Sequence, residues 1–314
     1  MGCSQSFVQP VQEETVEFLH GIKTEKQISS LVETEDKRLA CTCSKIIIFS
    51  YNPIKNKWKR DIEKQHGSEV SGLCAMKGNR LFSCGTILFQ VWALSEEDLT
   101  LIKEINVHTK AVYQIIPLSN DRFASCSWDK TIKIWKDDGS YECINTLKSD
   151  GVVVSILQLK GKEELVSSSE DESYNKEINF WDLNTYTETH TVAGHSPFLP
   201  THMIEIPDGN VAVVSHEENY CIVIIDTSLY EIKKIIYVEY HIPNYSSLCA
   251  INDHSFVYTR DGNFVQISCK DYSVVCKSRG ENFNGVAGII LVQGGQFLAI
   301  ENESWISIVK LCKP

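Results

Sequence analysis

The chain lacks an excess of positive charge: 30 Lys and Arg stand against 41 Asp and Glu, a formal net charge of −11 over 314 residues. That balance argues against a phosphate-backbone partner, which needs a basic face, so no nucleic-acid role is expected. No apolar run approaches the roughly 18 residues of a membrane helix. The opening stretch, MGCSQSFVQPVQEETVEF, lacks the apolar core of a secretory signal. The sequence is therefore expected to be soluble and intracellular apart from its first residues. Enzyme signatures are missing as well: there is no GxSxG, no GxxxxGKS/T, no HExxH and no paired CxxC. No catalytic residue, metal site, cofactor or small-molecule substrate is expected.

Cysteine is not scarce, at 12 residues, but its placement is informative. Cys41, Cys43, Cys74, Cys126 and Cys249 fall inside strand-like runs such as RLACTC and FASCS. Buried reduced thiols acting as small hydrophobes explain them in an intracellular chain. Cys41-Thr-Cys43 is a lone close pair, weak as a zinc site without a nearby His.

A fixed period decides the fold class. The clearest unit runs from His108 to Lys136, HTKAVYQIIPLSNDRFASCSWDKTIKIWK. Two β-rich runs are joined by the turn SND, and a second turn, WDKT, leads into the alternating run TIKIWK, the pattern of a half-buried strand. An equivalent third-strand anchor recurs at Phe49, Trp92, Trp135, Trp181, Ile225, Ile267 and Val309, at gaps of 43, 43, 46, 44, 42 and 42 residues. The one long gap holds SSSEDESYNKEINFW, which reads as a lengthened hairpin tip.

The unit from His108 resembles a WD40 repeat, with its His before the first strand, Ser in the second, Asp in the turn and Trp in the third. The resemblance covers nearly the whole chain. It implies an all-β, seven-bladed WD40-type β-propeller with four antiparallel strands per blade. It also implies a network that ties turn to third strand: His108, Ser125, Asp129 and Trp135 in blade three, with Ser167, Asp171 and Trp181 in blade four, where Ser149 stands in the His position. Blade five keeps Gly194-His195 and Ser215 but offers Asn219 and Ile225, and blade two keeps His66, Ser83 and Trp92 without the Asp. Such residues satisfy one another as buried polar groups and are not read as a catalytic triad.

The last blade is short, since the chain runs only five residues beyond Val309. The alternating segment 15–22 is expected to supply its outer strand and close the ring, as WD40 proteins commonly do. An open ring would expose a sheet edge. The expected organisation is a leash over 1–14 and one propeller over 15–314.

Met1-Gly2-Cys3-Ser4-Gln5-Ser6 fits the N-myristoylation pattern M-G-x-x-x-S/T, with Gly2 as acceptor. One myristoyl chain binds membranes only marginally, and Glu13, Glu14 and Glu17 follow with no basic cluster before Lys23. Cys3 is therefore the expected palmitoylation site and second anchor. Such a leash leaves the bottom rim of blade seven, turning the opposite, top face to cytosol. On WD40 tops, partners often touch the residue before the turn Asp and those flanking the start of the first strand. Here these are Trp128, Ala111 and Tyr113 in blade three, Glu170, Val152 and Val154 in blade four, and Glu218, Phe198 and Pro200 in blade five. Trp and Tyr are favoured contact residues.

The leading expectation is a non-enzymatic protein-interaction scaffold, tethered by lipid at a cytoplasmic membrane face and binding proteins or peptides. The alternatives are a structural component of a ciliary or cytoskeletal assembly, found in cytosol or cilium, and a substrate-recognition adaptor of a ubiquitin ligase. Fold alone does not choose among them.

Overall fold

The computed structural model describes residues 17–24, 28–43, 45–55, 57–66, 70–106, 108–173, 175–193, 200–215, 221–237, 247–260, 263–279, 286–292, 297–302 and 305–310. These residues hold 28 strands, arranged as seven antiparallel sheets of four. Among them, no helix is long and apolar enough to cross a membrane. Six sheets are each built of four consecutive strands. In blade one these are Ser30–Glu33, Leu39–Thr42, Lys45–Asn52 and Lys57–Gln65; in blade three, Val112–Leu118, Arg122–Ser127, Thr131–Lys136 and Cys143–Lys148. The seventh sheet is composite. Its inner three strands are Val286–Val292, Phe297–Asn302 and Trp305–Lys310, and its outer strand is Glu17–Lys23 from the other end of the chain.

The sequence pattern explains the layering. In blades one to four the second and third strands are largely buried on both faces because neighbouring blades cover both. In KIIIFSYN the run Ile46–Phe49 is buried, and in RFASCS every residue after Arg122 is buried. Outer strands meet solvent on one side, so LTLIKEIN is exposed along most of its length. Cores therefore lie between blades. Phe82, Phe89, Phe123 and Trp135 pack edge-to-face and stacked between blades two and three, with centroids 5.0–6.0 Å apart. Cys74, Cys84 and Cys126 are buried in the same region. Burial pushes the Cys84 thiol up to about 12, which leaves it inert.

A second set of contacts stitches blades together on the bottom face, where third strands turn into fourth. Tyr141, Tyr186, Tyr230 and Tyr272 occupy these turns with φ of 55–58°, a left-handed conformation unfavourable for a bulky residue. Each reaches the start of the second strand in the preceding blade. Arg122 donates to the Tyr186 hydroxyl at 3.1 Å and to the Leu183 carbonyl at 3.0 Å. Arg80 pairs with Asp137 at 2.6 Å and lies 3.4 Å from the Tyr141 hydroxyl. Tyr230 donates to Glu164 at 3.0 Å and Tyr272 to Asp208 at 2.6 Å. Arg38 reaches the equivalent turn of blade two through the Ser95 carbonyl at 2.7 Å. Arg38, Arg80, Arg122 and Glu164 stand 42 residues apart, one per blade.

Closure follows from register. Glu17 lies opposite Lys310 and Lys23 opposite Trp305. Ile22 packs against the cluster holding Val292, Ile306 and Ile308 together with blade-one residues Ile28, Leu31 and Ile47. Removing residues 1–23 should therefore lower the thermal midpoint by about 5–10 °C, at about 2–4 °C per kcal/mol for domains of a few hundred residues. The bared edge of Trp305–Lys310 should promote self-association in sedimentation. An unchanged midpoint with a monomeric product would refute closure by this strand.

Candidate functional site

The top rim of blade three combines a buried polar chain with an exposed aromatic pair. The chain begins at Trp135, whose Nε1–H donates to Ser125 Oγ at 3.0 Å. Ser125 Oγ lies 2.9 Å from His108 Nε2, and His108 Nδ1 lies 2.9 Å from Asp129 Oδ2. Indole only donates and carboxylate only accepts, so with the imidazole neutral the bonds run Trp to Ser, Ser to His, His to Asp. This order requires a neutral imidazole carrying its proton on Nδ1. Burial indeed holds the His108 pKa below its ordinary 6.5, against the pull of Asp129. Burial raises the Asp129 carboxyl, but hydrogen bonds from Thr131, the Thr109 backbone and His108 outweigh it and hold the group below its ordinary value. Ser125 has 0% exposure and its hydroxyl is engaged on both sides. The arrangement thus cannot present a nucleophile to substrate; it fastens the Trp128–Lys130 turn to the blade.

The other blades keep parts of this chain. In blade two, Trp92 donates to Ser83 at 2.9 Å and His66 lies 2.8 Å from the same hydroxyl, with Ile87 in the position of the carboxylate. In blade four, Trp181 donates to Ser167 at 2.8 Å. Asp171 does not join Ser167. It accepts from the Ser173 and Asn175 backbone and from Asn175 Nδ2, each at 2.8 Å. The long tip has taken the carboxylate for its own turn. Gly151 enters this blade so tightly that a Cβ there would sit 2.4 Å from the Glu170 carbonyl. Ser215 lies in a strand, while Gly194, His195 and Asn219 fall outside the described residues.

Trp128 is 45% and Tyr113 36% exposed, and their rings stack at 5.5 Å with a 29° tilt. Two backbone features aim them. The Trp128 N–H donates to the Ala111 carbonyl at 3.1 Å, and Tyr113 sits where the register slips between Val112 and Gln114, a bulge that redirects a side chain. Val154 occupies the corresponding slip in blade four but is partly buried, as are Val152, Glu170 and Ala111. Pro200 pairs with Ser215 across its sheet. Phe198 and Glu218, like Gly2 and Cys3, lie outside the described residues. Ile87, 45% exposed, joins the rim: its carbonyl accepts the His108 N–H at 3.1 Å. Sequence reasoning noted only the missing Asp of blade two, yet the apolar residue four positions after Ser83 was the signal. Among the described residues, no group of three or more His, Cys, Asp or Glu is placed to hold a metal ion.

Comparison with known proteins agrees with this geometry. Residues 99–136, from the outer strand of blade two through the third strand of blade three, match the family model "WD domain, G-beta repeat". The nuclear distribution protein nudF of Aspergillus flavus is 35% identical over 104 residues, 32% of this chain and 21% of that protein. The nuclear distribution protein PAC1 of Arthroderma otae is 29% identical over 146 residues, 43% of this chain and 30% of that protein. The match thus spans less than a third of either relative. The crystal structure of the WD40 beta propeller domain of Doa1 is similar in fold, with a TM-score of 0.77 at 14% identity over 95% of this chain and 98% of that one.

Asp129→Ala should strand buried donors and cost about 1–3 kcal/mol in chemical denaturation, whereas Asp171→Ala, which loses bonds only within an exposed tip, should cost less. Equal losses would refute this assignment. The pH dependence follows from His108: its folded pKa lies below the unfolded 6.5, so its contribution is present above pH 6.5 and is lost as pH falls through that value toward the folded pKa. His108→Gln should flatten this slope relative to wild type.

Proposed function

We propose that this WD40-type propeller is a non-enzymatic interaction platform, presenting its top rim to protein or peptide partners and held by N-terminal lipid at a cytoplasmic membrane face. The observation that carries the first half is the stacked pair Trp128–Tyr113, left half-exposed on a rim whose turn is fastened by a buried polar chain. Large apolar groups grouped on a surface mark contact sites, and a rigid aromatic anchor loses little entropy on binding. Ala111, Val152, Val154 and Glu170 frame the same rim, and Phe198, Pro200 and Glu218 are proposed to extend it.

The second half rests on Gly2, Cys3 and Ser6 in the acylation pattern. The chain enters the seventh sheet at Glu17, opposite Lys310 at the lower end of the third strand. A lipid on Gly2 and Cys3 would thus sit below the bottom face, leaving the aromatic rim on the far side. A second reading gives the same rim a partner within a larger assembly, the matched relatives being named nuclear distribution proteins.

Trp128→Ala should weaken capture of a partner by about 2 kcal/mol or more while leaving the melting temperature nearly unchanged; lost stability with intact binding would return Trp128 to a packing role. Gly2→Ala should move the protein from membrane pellet to supernatant, and Cys3→Ser should leave it only loosely attached. Metabolic labelling with fatty-acid analogues reads both, and a Gly2→Ala variant that stays in the pellet would rule out the lipid tether.

A further inference from the structure

We infer that the hairpin tip of blade one is a docking point for an anionic lipid bilayer. The tip joins Lys45–Asn52 to Lys57–Gln65 and carries Pro53, Ile54 and Lys55. Ile54 is 94% exposed, the most exposed large hydrophobic residue among those described. Asn52 Oδ1 accepts the Lys55 N–H at 3.0 Å and fixes the turn that projects it. Lys55 and Lys57 flank it, both exposed. Lys59 follows on the same side of the strand as Lys57, 77% exposed at its side chain and 3.2 Å from Asp61, and Arg60 pairs with Glu63 at 2.8 Å.

Position makes this tip more than a stray exposed residue. The outer strand of blade one lies beside Glu17–Lys23, the outer strand of blade seven. Both strands begin at the lower end of a third strand, Lys57 opposite Asn52 and Glu17 opposite Lys310. The sixteen residues preceding Glu17, with Gly2 and Cys3 at their start, therefore join the fold on the same face as Ile54 and in the adjoining blade. The charged residues just ahead of Glu17 are Glu13 and Glu14, and the adjoining blade presents Lys55 and Lys57 on the same face.

The chemistry fits a bilayer better than a protein pocket. A single aliphatic side chain on a narrow tip offers little area to a protein partner, but it can enter the headgroup boundary while flanking lysines stay at the phosphates. Salt screens the net charge of −11 beyond about 8–10 Å, so the charges close to the tip act most strongly on a bilayer. The local patch then decides orientation.

This inference rests on the membrane-facing reading of the bottom face, and its test is independent of acylation. Full-length Gly2→Ala protein, which carries no myristate, is mixed with phosphatidylcholine vesicles with and without phosphatidylserine and followed by flotation. Binding to the anionic vesicles alone is expected, weakened by about fivefold for each lysine neutralised in Lys55→Gln and Lys57→Gln, reduced in Ile54→Ser, and screened by added salt. Circular dichroism of the variants should match wild type. Equal binding to both vesicle types, variants that bind as well as the parent, or an Ile54-dependent dimer in sedimentation would each overturn the docking point. None of these results bears on whether Gly2 is acylated, which labelling reads separately.

Discussion

The pairing of Glu17–Lys23 with Trp305–Lys310 is the constraint on which the remaining structure depends. No blade of this ring owns a complete core. Each sheet buries its faces against two neighbours, so the clusters lie between blades and every blade depends on both adjoining ones. Six blades are finished by their own consecutive strands, and the seventh is finished by the opposite end of the chain. The strand also brings Ile22 into a cluster that already joins blades one and seven. Hydrogen-bond pairing and apolar burial therefore act at the same seam.

Top and bottom rims are fastened by different means. On top, a directional chain from Trp135 to Asp129 locks one turn within a single blade. On the bottom, Arg80, Arg122 and Glu164 cross from one blade to the next and meet a tyrosine in a left-handed turn. The top chain lets Trp128 stand half-exposed without loosening its loop. The bottom clamps offset the unfavourable tyrosine backbone and set the angle between neighbours. The Asp171 carboxylate shows how local this economy is: four added residues in the tip divert it from the network to its own turn.

Much of the architecture was legible because it rests on strong local patterns. Trp92, Trp135 and Trp181 fall in third strands as their spacing implied, and the closing strand lies at Glu17–Lys23 where 15–22 was read. The bulge that turns Tyr113 outward was not legible, since a slipped register leaves no mark in the alternation of VYQIIPL. The clamp series stands in the sequence at 42-residue spacing, but at the start of second strands, where the repeat carries no Trp anchor to mark it. Ile87 was missed because an absent Asp was read as a loss and not as a gain of apolar surface. The placing of the blade-one lysines was not legible for another reason: they share a face with the start of Glu17–Lys23 only once the ring has closed.

The closing strand also has a mechanical meaning. The chain enters it at the lower end, and the strand runs upward, antiparallel to its partner. A load drawn downward on the residues ahead of Glu17 is directed along the strand and not across it. The ladder from Glu17 to Lys23 then resists in shear, all its bonds loaded together, where a pull across the strand would peel them one at a time. The seam that completes the ring is thus oriented to bear tension from its own leader.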